Sequence, residues 1–192
     1  MATVKVNNLV KNYGKIEAVK GISFTIDKGE IFGLIGPNGA GKTTTLQVIA
    51  TLLQINDGSV DVMEYDVKTQ PEEVRKLISY LPEDAGAYKN LTGRRYLEFI
   101  ANFFDSKDAP KMVEYGIEIA DLSERINDRV DTYSKGMMRR LLVGRALMTN
   151  PRLAILDEPT SGLDVINAQE VRKIIQTTAQ KVQQYCFHLI TC

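Results

Sequence analysis

The sequence predicts an α/β fold with two lobes, in which a helical segment is inserted into a sheet-containing core. Residues 31–35 form a short apolar run that leads into a glycine-rich loop and then a helix-compatible stretch. A second apolar run, Leu153–Leu156, ends in two carboxylates. Between these two runs, residues 91–148 have helical periodicity and no convincing strand pattern.

Each element is predicted from its local pattern. Strands are expected where apolar residues alternate or run together between turn residues, at 4–9, 22–26, 31–35, 58–62, 78–82 and 153–156. Helices are expected at 43–50, 71–77, 95–104, 110–120, 134–148 and 167–183. We therefore divide the chain into a core lobe of residues 1–83 and 149–192 and an inserted helical subdomain of residues 84–148.

Composition excludes several classes of protein. The 192 residues carry 24 basic and 24 acidic side chains, so a non-specific nucleic-acid binder is not expected and no nucleic-acid partner is predicted. There is no apolar run near the length of a bilayer span and no apolar signal region at the start, which predicts a cytoplasmic protein. Cys186, His188 and Cys192 cluster near the end, but no second ligand group completes a zinc site.

Residues 36–43 read Gly-Pro-Asn-Gly-Ala-Gly-Lys-Thr, a complete G-x-x-x-x-G-K-[ST] phosphate-binding loop between a predicted strand and a predicted helix. Glycines allow backbone N–H groups to turn around an anion, and the helix directs its positive end at it. We expect Lys42 to reach the β- and γ-phosphates of a nucleotide and the Thr43 hydroxyl to ligate Mg²⁺. The residues expected to cradle the phosphates are Gly36, Pro37, Asn38, Gly39, Ala40, Gly41, Lys42, Thr43 and Thr44.

The second apolar run ends in Asp157 and Glu158, which suits a Mg²⁺-dependent hydrolytic site. Asp157 is expected to hold the metal and its water shell, and Glu158 to orient and polarise the attacking water. Together with the phosphate loop, this pair predicts the core of a P-loop NTPase that binds ATP and Mg²⁺.

From about residue 4 to residue 181 the chain resembles the nucleotide-binding domain of ABC transporters. The resemblance implies an ATPase that closes head to tail with a second nucleotide-binding subunit, as a homodimer or a pair. It also implies integral membrane permease subunits as partners and a peripheral location on the cytoplasmic face of the membrane. Tyr13 matches the aromatic residue that stacks on adenine in this family; a plain surface or core tyrosine is the alternative.

Three further motifs carry the resemblance. Tyr-Leu-Pro-Glu at 80–83 stands where the family has its Q-loop, which implies a catalytic and Mg²⁺-sensing role for Glu83 in place of glutamine. Tyr-Ser-Lys-Gly-Met at 133–137 stands at the signature motif, which implies that Ser134 and Gly136 face the γ-phosphate of the opposite subunit. Ser-Gly-Leu-Asp at 161–164 matches the D-loop, which implies that Asp164 lies at the dimer interface. The residues that differ from the usual motifs resemble those of the branch that serves ABC-2-type exporters.

The last eleven residues, 182–192, depart from the family pattern, in which a strand ends in small hydroxyl residues and a histidine that senses the γ-phosphate. With codons chosen to fit, adding one base before this tail and regrouping gives Gly-Thr-Thr-Val-Leu-Leu-Ser-Ser-His-Asn-Met. We interpret the tail as the product of a one-base deletion near Lys181, with the histidine belonging where Ile190 now stands. On this interpretation the C-terminal part of the core, with its closing strands, is missing.

Two other functions stay open at this point. The chain could be a truncated or frameshifted nucleotide-binding module with little turnover, because the histidine is absent. It could also be a soluble ABC ATPase that acts outside transport, although no coiled coil or basic arm supports that alternative.

Overall fold

The computed structural model describes residues 2–104, 107–181 and 188–191. In these residues the chain forms eight strands, which are β1 Ala2–Tyr13, β2 Ile16–Asp27, β3 Ile31–Leu34, β4 Asp57–Val62, β5 Tyr65–Asp66, β6 Ile78–Leu81, β7 Leu153–Leu156 and β8 His188–Thr191. The α-helices are α1 Lys42–Ile49, α2 Pro71–Leu77, α3 Gly93–Ala101, α4 Ala109–Ala120, α5 Lys135–Leu147 and α6 Val165–Lys181. Two short 3-10 helices, Ser123–Asn127 and Val130–Thr132, precede α5.

The first sheet is antiparallel, with strand order β2-β1-β4-β5. Its strands β1 and β2 are twelve residues long, so both extend beyond the predicted alternating runs. Shifts of register interrupt the pairing between them. Val4, Val6 and Leu9 of β1 are buried against the core, whereas the residues near the hairpin turn are half-buried or exposed. Each strand has a polar end without apolar alternation, so its full length was not predicted.

The second sheet is parallel, with strand order β3-β8-β7-β6. Parallel strands place their carboxyl ends at one edge of the sheet. Leu34 at the end of β3 and Leu156 at the end of β7 therefore lie at that edge, immediately before the phosphate loop and the carboxylates. This arrangement brings two distant motifs together.

The tail contributes one strand, β8, that was not among the predicted strands. His188–Thr191 lies between β3 and β7 and pairs in parallel with both. Backbone hydrogen bonds on both sides hold such a strand, so a weak apolar pattern is tolerated. The preceding residues 182–187, including the predicted end of the last helix at Gln183, lie outside the described residues.

Strand β7 lies between two hydrophobic clusters, and all four of its residues are buried. Leu153 and Ile155 pack with β1, β4 and α1 in one cluster. Ala154 and Leu156 pack with α3, α4, α5 and α6 in the other. The alternation follows from the two-residue period of a strand, and it joins the helices inserted between β6 and β7 to the same core.

Candidate nucleotide-binding site

The glycine-rich loop turns between β3 and α1 through left-handed backbone conformations. Gly39 has φ of +81° and Gly41 has φ of +84°, a region that favours glycine. At Gly41 a Cβ would also overlap the carbonyl oxygen of Ala18 on β2. Gly41 is the N-cap of α1 and supplies no side-chain bond, so the first N–H groups of the helix face the loop.

Lys42 lies inside this loop with only 9% of its surface exposed. Its Nζ donates to the carbonyl oxygen of Gly36 at 2.8 Å and to that of Pro37 at 3.4 Å. The same ammonium lies 3.7 Å from Oε1 of Glu158. The predicted phosphate-binding lysine and the predicted water-orienting carboxylate therefore meet across the sheet edge.

Asp157 follows β7 directly and is 1% exposed. The hydroxyl of Tyr80, on the neighbouring strand β6, donates to its Oδ2 at 3.4 Å. Burial, and then the charge of Asp157, raises the pKa of Tyr80 to about 12, so the phenol stays protonated and acts as a donor. Tyr80 was not predicted as a neighbour of Asp157, although it lies on a predicted strand two residues before Pro82.

The loop, Glu83 and Glu158 border one cleft of about 420 Å³, and the buried Asp157 is outside its lining set. Its lining residues are Asn38, Gly39, Ala40, Gly41, Lys42, Thr43, Thr44, Glu83, Glu158, Ile16, Glu17 and Ala18. The last three were not predicted. The sequence feature that could have indicated them is Ile16, an apolar residue directly after the first hairpin turn. Ile16 is exposed and does not pack in the core.

The donors around the cleft suit Mg²⁺. Thr43 and Glu83 line the cleft with a hydroxyl and a carboxylate, and Asp157 offers a buried carboxylate directly after β7. Such oxygens are the hard ligands that this ion prefers. These are the residues that would hold Mg²⁺ beside a bound nucleotide.

Two contacts that were not predicted hold Glu83. Ser161 donates its hydroxyl to Oε1 of Glu83 at 2.9 Å. Arg139 of α5 donates Nη2 to the Glu83 carbonyl oxygen at 2.9 Å. Burial lowers the pKa of Arg139, with the Glu83 charge opposing that shift. The segment after β6 is thus tied to the helical insertion and to the loop after Glu158.

Ser134, one of the two predicted signature residues, lines a second groove, and neither Ser134 nor Gly136 lines the cleft of the same chain. Ser134 caps α5 by accepting a hydrogen bond from the Met137 N–H at 3.2 Å. Asp164 caps α6 by accepting one from the Asn167 N–H at 3.0 Å. Ser134 and Ser161 both line this groove, which places the two predicted interface motifs side by side.

Tyr13 is 46% exposed at the end of β1 and pairs with Ile16, which lines the cleft. The ammonium of Lys11 lies 5.3 Å from the centre of its ring. Tyr13 therefore stands beside the cleft wall and outside the lining set.

The part of the chain that the structure describes contains no helix that is both long and apolar enough to cross a bilayer.

Comparison with known proteins identifies the family. Residues 19–161 match the family described as ABC transporter. The linearmycin resistance ATP-binding protein LnrL of Bacillus subtilis (strain 168) is 38% identical over 92% of this chain and 57% of its own length. The bacitracin transport ATP-binding protein BcrA of Bacillus licheniformis is 34% identical over 93% of this chain and 58% of its own. The chain thus spans little more than half the length of these relatives.

Solved structures of ATP-binding cassettes share the fold of this chain. A nucleotide-free ATP-binding cassette from an ABC transporter has a TM-score of 0.80 and 27% identity, covering 100% of this chain and 82% of the other. The ADP conformation of MJ1267, an ATP-binding cassette of an ABC transporter, has a TM-score of 0.82 and 26% identity, covering 100% and 81%. These likenesses confirm the predicted nucleotide-binding fold and family resemblance. With the family match over residues 19–161, they show that this chain belongs to the ABC transporter family as an ATP-binding cassette.

Proposed function

We propose that this chain is the ATP-binding and ATP-hydrolysing subunit that powers an ABC transporter of the exporter type. The observation that carries the proposal is the approach of Lys42 to Glu158, 3.7 Å apart at one cleft. A buried ammonium held by backbone carbonyls can bind phosphate oxygens, and a carboxylate beside it can orient water.

The residues divide the chemistry among themselves. Backbone N–H groups of the loop and the first turn of α1 bind the phosphates, while Lys42 stabilises negative charge on the β- and γ-oxygens. Glu158 accepts a proton from the attacking water and orients it in line with the bond that breaks. Mg²⁺, held by Thr43 and Asp157 with Glu83 nearby, would neutralise charge on the phosphate oxygens. Tyr13 stacks on adenine at the open side.

The proposal includes closure of two copies or of two paired cassettes. Ser134 and Gly136 lie away from the cleft of their own chain, which supports binding of the partner subunit's γ-phosphate. A serine cap and a helix N-terminus are suitable anion ligands. In the closed pair, Asp164 would lie at the interface between the two subunits, because it follows Leu163, which lines the same groove. Loss of the γ-phosphate on hydrolysis would reopen the pair and provide the mechanical output.

Permease subunits are the proposed receivers of that motion, which would place the chain peripherally on the cytoplasmic face of a membrane. The relatives named for linearmycin resistance and bacitracin transport support an export role. In the proposed division, residues 84–148 form the helical subdomain, and residues 1–83 and 149–192 form the core lobe. The hydrogen bond from Arg139 to Glu83 supports a coupling route between the two.

The test uses Glu158→Gln and Lys42→Ala in the full chain. Glu158→Gln keeps the shape of the side chain but removes the base, so it should retain ATP and accumulate closed dimers in size-exclusion chromatography. Lys42→Ala should weaken ATP binding by about 10- to 100-fold, because a hydrogen bond from a charged group contributes about 1.5–3 kcal/mol. The exposed Lys20→Ala is the matched control. Unchanged ATP turnover in Glu158→Gln would contradict the assigned role.

The tail favours a second candidate, a nucleotide-binding module with little turnover. Ile190, the position of the histidine in the regrouped sequence, pairs with Gly33 and Leu156 near the sheet edge that carries the phosphate loop. A γ-phosphate sensor at that edge would be lost by the proposed one-base deletion. Sequencing the encoding DNA tests the deletion, and codons that cannot be regrouped in this way would end it.

A paired assay separates the two functions. ATP binding is measured by nucleotide titration and turnover by phosphate release, both on the 192-residue chain. Binding with turnover supports the ATPase, whereas binding without turnover supports the module. A soluble ABC ATPase outside transport would hydrolyse ATP but fail to associate with any permease expressed from a neighbouring gene.

A further inference from the structure

Gly136 is buried at the start of α5, and the side chain of Asn167 fills the space beside it. A Cβ at position 136 would overlap the amide oxygen of Asn167 and crowd the carbon that carries it. The neighbouring helix α6 thus excludes a side chain at this point of the signature segment. This requirement arises within one subunit and involves no nucleotide.

Asp164 fixes Asn167 in that orientation. The Oδ1 atom of Asp164 accepts the backbone N–H of Asn167 at 3.0 Å, and its Oδ2 accepts the side-chain N–H at 2.5 Å. With its nitrogen bound to Asp164, the amide group directs its oxygen at Gly136. The D-loop aspartate therefore positions an atom that touches the signature turn.

The contact continues along both helices. One turn after Gly136, Nη1 of Arg140 lies 3.6 Å from Oε2 of Glu170, one turn after Asn167. Arg140 also donates to the Asp121 carbonyl oxygen at 3.0 Å, which ties this interface to the end of α4. Asn167 therefore stands at the N-terminal end of an ordered α5–α6 contact.

We propose that Asn167, held by Asp164, is a positioning residue for the signature turn at Ser134 and Gly136. It couples the loop after Glu158 to the helix end that would face the partner subunit's nucleotide. The functional part of this inference rests on the proposed head-to-tail closure. The structural part, that Asn167 makes glycine necessary at position 136, is independent of it.

The structural part is tested by thermal unfolding of four nucleotide-free chains: wild type, Gly136→Ala, Asn167→Ala and the double variant. Glycine to alanine inside a helix normally stabilises a protein. Here the overlap should reverse the sign, and Gly136→Ala should lower Tm by about 3–6 °C. In the Asn167→Ala background the same change should leave Tm unchanged or raise it. Gln169→Ala, an exposed change on α6, is the matched control and should not rescue Gly136→Ala.

The functional part is tested by ATP-dependent dimer formation in the Glu158→Gln background. Asn167→Ala should leave ATP binding to the monomer unchanged and reduce dimer formation by about tenfold, because only the turn facing the partner loses its support. Failure of the Glu158→Gln parent to dimerise would count against the proposed function alone, since the Tm comparison still stands. An equal Tm change for Gly136→Ala in both backgrounds would overturn the inference, as would unaltered dimer formation in Asn167→Ala when the parent dimerises.

Discussion

The backbone of Glu158 is in the left-handed region, with φ of +44°. A non-glycine residue pays about 1–2 kcal/mol for this conformation, and asparagine tolerates it better than other side chains. The turn places the carboxylate beside Lys42 immediately after the buried strand β7. The strain is therefore found at the residue with the proposed chemical role, a common place for it.

This strain predicts a difference between two neutral replacements. Glu158→Asn and Glu158→Gln both remove the charge and should both abolish turnover. The asparagine variant should be more stable by about 1 kcal/mol, because it fits the left-handed backbone. Urea unfolding measures the difference, and coincident unfolding curves for the two variants would count against a strained Glu158.

Single residues differ in how far the sequence could predict them. Lys42, Thr43 and Asp157 were predictable because their motifs carry a fixed spacing to a loop or a strand end. The contacts of Tyr80 with Asp157 and of Ser161 with Glu83 were not, because each joins elements distant in sequence. Local patterns specify what a side chain can do, whereas its partners depend on the packing of the sheet.

At the scale of elements, the cap of α5 shows a boundary that was predicted well. A helix was expected over residues 134–148, and the structure has Lys135–Leu147 with Ser134 as N-cap. The Ser134 hydroxyl accepts one of the N–H groups that a helix start leaves without a partner. Serine at this position thus identifies the helix start from sequence.

Removing this cap should destabilise the chain. We expect Ser134→Ala to lower the free energy of unfolding by about 1 kcal/mol, because the Met137 N–H loses its acceptor. Ser134→Asp supplies a new acceptor at the helix N-terminus and should retain most of the stability. Denaturant unfolding compares the three chains without nucleotide. Equal losses for alanine and aspartate would show that the hydroxyl does more than cap the helix.

Strand β8 is an element that the sequence pattern did not predict. Its residues offer a weak pattern, and its position depends on the gap between β3 and β7. A strand paired on both sides is held by backbone hydrogen bonds, which every residue except proline can donate, so the residue types do not indicate the pairing.

The central place of β8 predicts a large effect for proline. Leu189 pairs with Phe32 on one side and Ile155 on the other. Leu189→Pro removes a ladder donor and should cost about 3 kcal/mol, or about 6–12 °C in Tm. Leu189→Val, which keeps the N–H group, is the matched control. Similar Tm values for the two variants would place this segment outside the sheet.

At the scale of the whole molecule, the predicted two lobes share one strand. The helical insertion is predicted as a separate lobe because the periodicity of the sequence changes abruptly there. The alternation of β7 nevertheless places one face in each hydrophobic cluster. Pattern analysis could predict a buried strand from Leu153–Leu156, but not that its two faces serve different clusters.

Shared packing predicts that the two clusters unfold together. Ile155→Ala removes apolar volume from the cluster that contains β1 and α1, and should cost about 2–5 kcal/mol. Because β7 also supports α5, hydrogen exchange in α5 should accelerate as well. Val60→Ala, in the same cluster but on β4, is the control with less effect on α5. Unchanged exchange in α5 after Ile155→Ala would indicate two independent units.

The carbonyl oxygen of Ala18 leaves no room for a Cβ at position 41. A variant with alanine at position 41 would retain every chemical group that touches phosphate, including the lysine and the threonine that follow. It would still lose the site, because the loop would be displaced from the hairpin wall that Ala18 helps to form. Glycine at position 41 is therefore required by the packing of the neighbouring hairpin as well as by the binding of an anion.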